Sequence, residues 1–299
     1  MISMTRPMIW HFTYRTANGV RLHCAEAGRE EDPLVILLHG FPEFWFGWRY
    51  QIADLVQAGY RVLAPDQRGY NLSAKPKGIS AYDLDTLAGD VIGLADSLGR
   101  ERFALIGHDW GGVVGWWVIS KYPKRVSRFV ALNAPHPKTW QDAVRTDPWQ
   151  HKKSSYARFF RLPWLPELAL RRNNFKALTV ALRQSCNHEA FNESSLAEYR
   201  AAWSQPNALT AMLNWYRALL ARADKTFAVD QITMPVMVIW GARDPYLIPE
   251  LAGASAGLCI NATVKRFDEA THWAQYDDVE RVNALLLEFL SPEKSAWAS

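Results

Sequence analysis

Cysteine is scarce: Cys24, Cys186 and Cys259 are the three in 299 residues, widely spaced and odd in number. That excludes a disulfide framework, offers no metal-ligand spacing, and fits a reducing cytoplasm. No apolar run reaches the roughly 18 residues that a membrane-spanning helix needs, so no membrane is expected as a partner. Residues 1–12 contain Arg6 and Pro7 but no apolar core, so they do not read as a signal peptide. The 34 Lys/Arg and 30 Asp/Glu leave a formal charge of +4. No dense basic stripe stands out, the pair Arg171-Arg172 reads as a solvated face, and nucleic acid is not expected as a partner. Internal repeats and low-complexity tracts are absent as well.

What remains is a chain with 49% hydrophobic and 21% charged residues, the composition of an ordinary globular enzyme. Its length suits one large domain or a domain carrying an insertion. Two strands, Trp10 to Thr16 and Val20 to Ala27, flank Asn18-Gly19, a strong hairpin signal. Leu34 to Leu38 is a continuous apolar run, as expected of a strand buried on both faces. Helical spacing then follows over Trp48 to Ala58, a strand over Arg61 to Asp66, and an amphipathic helix over Tyr82 to Leu98. Phe103 to Ile106 and Arg128 to Leu132 are further buried strands.

From about His136 to Val229 the alternation stops, and helical segments divided by Pro163, Pro166 and Pro206 take over. Strands and helices resume at Val236 and close with a helix over Val279 to Leu290. The pattern predicts an α/β fold with a mostly parallel sheet flanked by helices and an inserted helical lid. The core would comprise 1–135 and 229–299, and the lid 136–228. The lid's outer face could support a homodimer.

The organising stretch is Gly107-His108-Asp109-Trp110-Gly111-Gly112, set between the strand Phe103 to Ile106 and an apolar helix. Small residues two positions before and after a reactive side chain frame a tight strand-to-helix elbow. The side chain at its tip protrudes beside a helix N-terminus, whose amides favour negative charge. Here the tip is Asp109 rather than serine. A carboxylate there attacks carbon and becomes an alkyl ester.

Hydrolysing that ester needs a base with a near-neutral pKa and an acid to orient it, in the chain order nucleophile, acid, histidine. Asp244 follows the strand Val236 to Trp240, and His272 follows the last strand in Glu269-Ala270-Thr271-His272-Trp273. Both sit at the carboxyl ends of strands, where such sheets place their sites. Asp244 could alternatively cap the next helix. His108 is expected to point away from the cleft, His39 to brace loops, and Asp66 to form a salt-bridged turn with Gln67-Arg68-Gly69. His136, His151 and His188 read as polar surface. The backbone amides of Phe41 and Trp110 could form an oxyanion hole.

These motifs resemble the α/β-hydrolase superfamily and, within it, the epoxide hydrolases. The resemblance rests on His39-Gly40-Phe41-Pro42-Glu43, Pro65-Asp66-Gln67-Arg68-Gly69-Tyr70-Asn71-Leu72-Ser73, the elbow, Asp244 and His272-Trp273. It implies Asp109 as nucleophile, His272 as base, Asp244 as the histidine's partner, and lid tyrosines that protonate an epoxide oxygen. Leu213-Asn214-Trp215-Tyr216-Arg217 looks like one such motif, making Tyr216 a donor. The second tyrosine position aligns with Phe159, and Tyr156, one helical turn earlier, stands in as its candidate.

The implied partners are a small hydrophobic epoxide and water, with no cofactor and no metal. Phe41, Trp110, Phe159, Trp203 and Trp215 are expected to wall the pocket. A haloalkane or haloacid dehalogenase is the alternative. It would need a second halide donor, and Phe41 has no polar side-chain hydrogen. The related fluoroacetate-cleaving enzymes place an arginine where Trp110 stands. A non-catalytic ligand-binding protein is the remaining reading.

Overall fold

The computed structural model describes residues 10–221 and 231–291. The strands are β1 (Trp10–Ala17), β2 (Val20–Ala27), β3 (Leu34–Leu38), β4 (Arg61–Pro65), β5 (Phe103–His108), β6 (Val126–Leu132), β7 (Val236–Gly241) and β8 (Ala262–Phe267). They form one sheet in the order β1-β2-β4-β3-β5-β6-β7-β8. β1, β2 and β4 pair antiparallel, and every pair from β4 onward is parallel. Every residue of β3, β4 and β5 is buried, because helices cover both faces and continuous apolar runs satisfy both.

The helices of the core are α1 (Ile52–Gln57), α2 (Leu84–Ser97) and α3 (Trp110–Lys121). The expected helix over Trp48 to Ala58 is split into a 3-10 turn at Trp45–Trp48 and the short α1. Gln51, at the join, donates to the Gln275 carbonyl and to Asn283, which ties this loop to the far end of the chain.

Between β6 and β7 lie α4 (Pro137–Thr146), α5 (Pro148–Lys153), α6 (Ser155–Phe160), α7 (Leu165–Gln184), α8 (Glu193–Trp203) and α9 (Ala208–Ala221). This is the helical cap. α7 is broken at residues 172–175, where Asn173, Asn174 and Phe175 have positive φ. The expected cap boundary at 228/229 lies outside the described residues. α10 (Glu250–Ala256), α11 (Ala274–Asp277) and α12 (Val279–Leu290) complete the core. No helix of the described residues is long and apolar enough to cross a membrane.

The cap is fastened to the loops at the strands' carboxyl ends. Trp203 donates its indole N–H to the Pro42 carbonyl at 2.6 Å, and Trp215 donates to the Arg68 carbonyl at 3.0 Å. A buried indole must find an acceptor, and here the acceptor belongs to the core. Both tryptophans were expected in the pocket wall. The structure corrects this: they are anchors, and neither lines the cavities described below.

The glycines of the elbow are required by backbone proximity. A Cβ on Gly111 would overlap the Leu38 carbonyl, and one on Gly107 would overlap the Gly111 carbonyl. Neither obstacle is a flexible side chain. Gly111→Ala should therefore lose about 1–3 kcal/mol of stability or fail to fold. Gly253 lies in α10 with nothing within 4 Å of its Cβ position, so Gly253→Ala should gain about 0.5–1 kcal/mol. Urea unfolding of the two variants checks both signs.

Candidate active site

β5 delivers Asp109 to the tip of the elbow with φ 49° and ψ −121°. A non-glycine residue there is strained and must be held by its surroundings. The Asp109 N–H donates to the Leu132 carbonyl at 3.2 Å, and its carbonyl accepts from Val113 at 3.0 Å to start α3. The loop after β3 comes close: the Phe41 N–H donates to Asp109 Oδ1 at 2.7 Å. Only glycine at position 40 permits this, since a Cβ would sit 2.5 Å from that carboxylate oxygen. The N–H of Trp110 opens α3, where amides have no intrahelical acceptor.

The other oxygen, Asp109 Oδ2, lies 3.6 Å from His272 Nε2. His272 Nδ1 is 2.7 Å from Asp244 Oδ2. Asp244 is itself fixed. Its Oδ1 accepts from the amides of Tyr246 and Leu247 at 2.7 and 3.0 Å, and its Oδ2 accepts from Asn133 Nδ2 at 2.8 Å. It thus holds the loop and faces His272 together, but it does not cap the next helix: α10 starts after Pro249 with no side-chain cap. The structure brings Asp109, Asp244 and His272 together, with His272 hydrogen-bonded to Asp244 and 3.6 Å from Asp109.

Three ionisable groups meet here, Asp244 and His272 buried and Asp109 half-buried. Burial opposes ionisation of Asp109, but His272 outweighs it and holds the carboxyl below its ordinary range. Burial likewise opposes Asp244, and attraction to His272 again prevails. For His272, burial disfavours the imidazolium. Asp244 and then Asp109 overcome it and push the pKa up to about 10.

Two cavities meet at Asp109, and both are also lined by Tyr156 and Tyr216 from the cap. The smaller, about 60 Å³, runs toward Trp110, Trp140 and Leu219. The larger, about 210 Å³, runs past Phe41, Leu178, Tyr246 and His272. Tyr216 is buried, which raises its pKa, and loss of water around the partly exposed Tyr156 shifts it in the same direction, so each keeps its proton at neutral pH. The Tyr216 ring packs edge-on against Trp110 at 5.0 Å and Phe41 at 5.3 Å.

Phe159 is a correction. It lines neither cavity and lies on the outer surface of the cap, while its neighbour Phe160 faces inward. In a six-residue helix, one step of 100° separates the two faces. His39 braces loops as expected, its Nε2 accepting from the Gln67 N–H at 3.0 Å. Asp66 does not pair with Arg68. It pairs with His23 of β2 at 2.6 Å, and Arg68 pairs with Asp90. His136 is buried rather than surface, and burial lowers its pKa to about 4.

Sequence reasoning missed three supports. Asn133 ends β6 with φ 41°, and its Oδ1 accepts from the Gly241 N–H while its Nδ2 holds Asp244. A polar residue at a strand's carboxyl end was the available signal. His108 points away from the cavities, but its Nε2 contacts the His272 carbonyl at 2.9 Å and its Nδ1 contacts Glu43 at 3.1 Å. Glu43 also accepts from Tyr199 of the cap and from Tyr276. Among the described residues, no group of three or more His, Cys, Asp or Glu is placed to hold a metal ion.

Residues 33–279 match the family model described as alpha/beta hydrolase fold. The chain is 46% identical over 273 residues to the AB hydrolase superfamily protein YfhM of Bacillus subtilis, covering 91% of this chain and 95% of that protein. It is 36% identical over 285 residues to human Epoxide hydrolase 4, covering 92% and 77%. Among solved structures, an epoxide hydrolase from Bacillus megaterium in complex with an inhibitor superposes with a TM-score of 0.85. It shares 31% identity and covers 93% of this chain and 100% of that one.

The raised pKa of His272 depends in part on the charge of Asp109. In Asp109→Asn it should fall by about 1–3 pH units, as read by NMR titration of the imidazole. An unchanged value would contradict the coupling. The sign carries over to stability. In the parent, this histidine's contribution is fully present below about pH 6.5 and is lost as the pH rises through about 10. In the variant the contribution is smaller and its loss is complete at lower pH.

Proposed function

We infer the function from one premise: the chain belongs to the α/β-hydrolase superfamily and, within it, to the epoxide hydrolases. It is an enzyme, a hydrolase. Its reaction is the opening of an apolar epoxide to a vicinal diol through an ester on Asp109. The observation that carries this reading is the convergence of Asp109, Tyr156 and Tyr216 on the same two cavities, with His272 lining the larger.

In the first step Asp109 Oδ2, the oxygen not bound by the Phe41 amide, attacks a ring carbon. The carbon–oxygen bond breaks, and Tyr216 or Tyr156 gives its proton to the departing oxygen. Protonated tyrosines are needed for this, and their surroundings keep them so. A positioned general acid contributes roughly 10²–10⁴ in rate.

The product is a hydroxyalkyl ester of Asp109. Esterification removes the carboxylate charge that helps raise the His272 pKa, so the imidazolium releases its proton to solvent and the neutral imidazole is free to act as base. It takes a proton from water, and the hydroxide attacks the ester carbonyl. The negative charge on Oδ1 meets the Phe41 N–H and the first amide of α3. One such donor is typically worth roughly 10²–10³ in rate. The alkoxide leaves, is protonated by the imidazolium, and the diol departs. Asp109 retains one oxygen from water. Solvent returns the tyrosine proton.

Two units divide the work: the core, 1–135 and 229–299, holds the charges, and the cap, 136–228, holds the acids. The larger cavity exceeds the ~150 Å³ that suffices for a benzene molecule in an engineered protein cavity, and it accepts an aryl or branched alkyl group. A dehalogenase would turn the Trp110 indole toward a halide, whereas here that side chain is engaged with Tyr216.

The test is His272→Ala, in which the ester should form and persist. Intact mass spectrometry after incubation with styrene oxide should show a gain of the whole epoxide mass, mapped to the peptide holding Asp109. A haloalkane that instead leaves its alkyl fragment would reassign the enzyme as a dehalogenase. No adduct from any of these, with an inactive parent, would point to a binding protein.

A further inference from the structure

The outer surface of the cap is both apolar and basic. Within residues 159–168, Phe159, Leu162, Trp164, Leu165 and Leu168 are exposed, Trp164 at 70% and Leu168 at 63%. A run of that kind on a soluble surface marks an interaction site. Its exposure is built in. Arg217 of α9 donates to the carbonyls of Phe160 and Leu162 and pairs with Glu167 at 2.9 Å, which holds the loop outward-facing. The same helices reach the cavity from their inner side, through Tyr156 and Phe160 of α6 and Leu170 of α7.

The charge around this run is one-sided. Residues 145–176 contain eight Lys/Arg and two Asp/Glu, a surplus of six in a chain whose total surplus is four. The remainder of the protein is therefore slightly acidic. Glu167 is already neutralised by Arg217. Among the described residues, Arg161, Arg171, Arg172 and Lys176 enter no ion pair, and all four are exposed. The sequence showed no dense stripe because apolar residues separate these charges.

We propose that this face of the cap docks on an anionic lipid bilayer. Exposed Trp, Phe and Leu beside Lys and Arg form the composition that seats at a membrane interface. The apolar side chains enter the headgroup boundary and the cations meet acidic lipids. Each such cation near an anionic surface adds roughly fivefold in affinity. A second copy of this chain is the poorer occupant, since a two-fold pairing would set two cationic surfaces against each other. Nucleic acid would use the charges but has no use for aliphatic Leu162, Leu165 and Leu168. Docking would set the roof of the larger cavity against the phase in which apolar substrates dissolve.

The test is co-sedimentation of the full-length protein with unilamellar vesicles, either phosphatidylcholine alone or phosphatidylcholine with phosphatidylglycerol, at low and high salt. Binding is expected only with the anionic vesicles and should weaken with salt. Trp164→Ser/Leu168→Ser and Arg171→Glu/Arg172→Glu should each lose roughly tenfold or more in affinity. Lys121→Glu/Lys124→Glu, at the end of α3 remote from Asp109, should leave binding unchanged. Urea unfolding verifies that the variants fold. No binding to anionic vesicles would overturn the proposal. So would binding that survives Trp164→Ser/Leu168→Ser and is matched by duplex DNA, the mark of a merely polycationic surface. A parent dimer that becomes monomeric in that apolar variant, without vesicle binding, would reassign the patch to self-association.

Discussion

The close approach of three backbone segments around Asp109 is the constraint on which the site depends. Gly111 lies against the Leu38 carbonyl, Gly107 against Gly111, and Gly40 against the Asp109 side chain. No side chain fits at any of these points. The compression forces Asp109 into its strained conformation and presses the Phe41 amide onto one carboxylate oxygen. Strain of this kind costs of order 1–3 kcal/mol and persists only where the surroundings over-determine it. Here the buried parallel strands β3, β5 and β6 do so, and the result is a carboxylate whose two oxygens already have different partners.

Electrostatics then distributes the roles. One imidazole stands between a buried and a half-buried carboxylate, and each ion is stabilised chiefly by its neighbour. Such a cluster is costly if any member is removed, but it responds to chemistry. Converting Asp109 to an ester removes one of the two charges that hold the proton on His272. In the proposed reaction, the site switches in this way from nucleophilic attack to base catalysis. Asn133, His108 and Glu43 serve this arrangement from behind. Because Tyr199 of the cap also binds Glu43, the position of the cap and that of the base loop are linked.

Much of this was legible in the sequence, for physical reasons. Apolar runs of only five or six residues bounded by turn residues read as buried strands, and polar residues at their carboxyl ends stand out. Asp109, Asp244 and His272 were found that way, and the structure brings them together. What the sequence could not resolve was helix phase and the demand of a single N–H group. Phe159 and Phe160 are both aromatic and adjacent, so their faces depend on where a six-residue helix begins. Trp203 and Trp215 look like pocket walls, but their indoles are spent on the carbonyls of Pro42 and Arg68. Asn133 carried a signal that strand-end reasoning could have used. Tyr246 carried none, because its place beside His272 at 5.2 Å arises only from the loop that Asp244 caps.

The central claim is that Asp109, rather than a free water, makes the first bond to the substrate carbon. A single turnover in ¹⁸O-labelled water, with enzyme in excess over a water-soluble epoxide, measures this directly. The account predicts a first diol with no label and the label in the Asp109 peptide. A labelled first diol, with the Asp109 peptide unchanged, would contradict it and would make the carboxylate a base toward water instead.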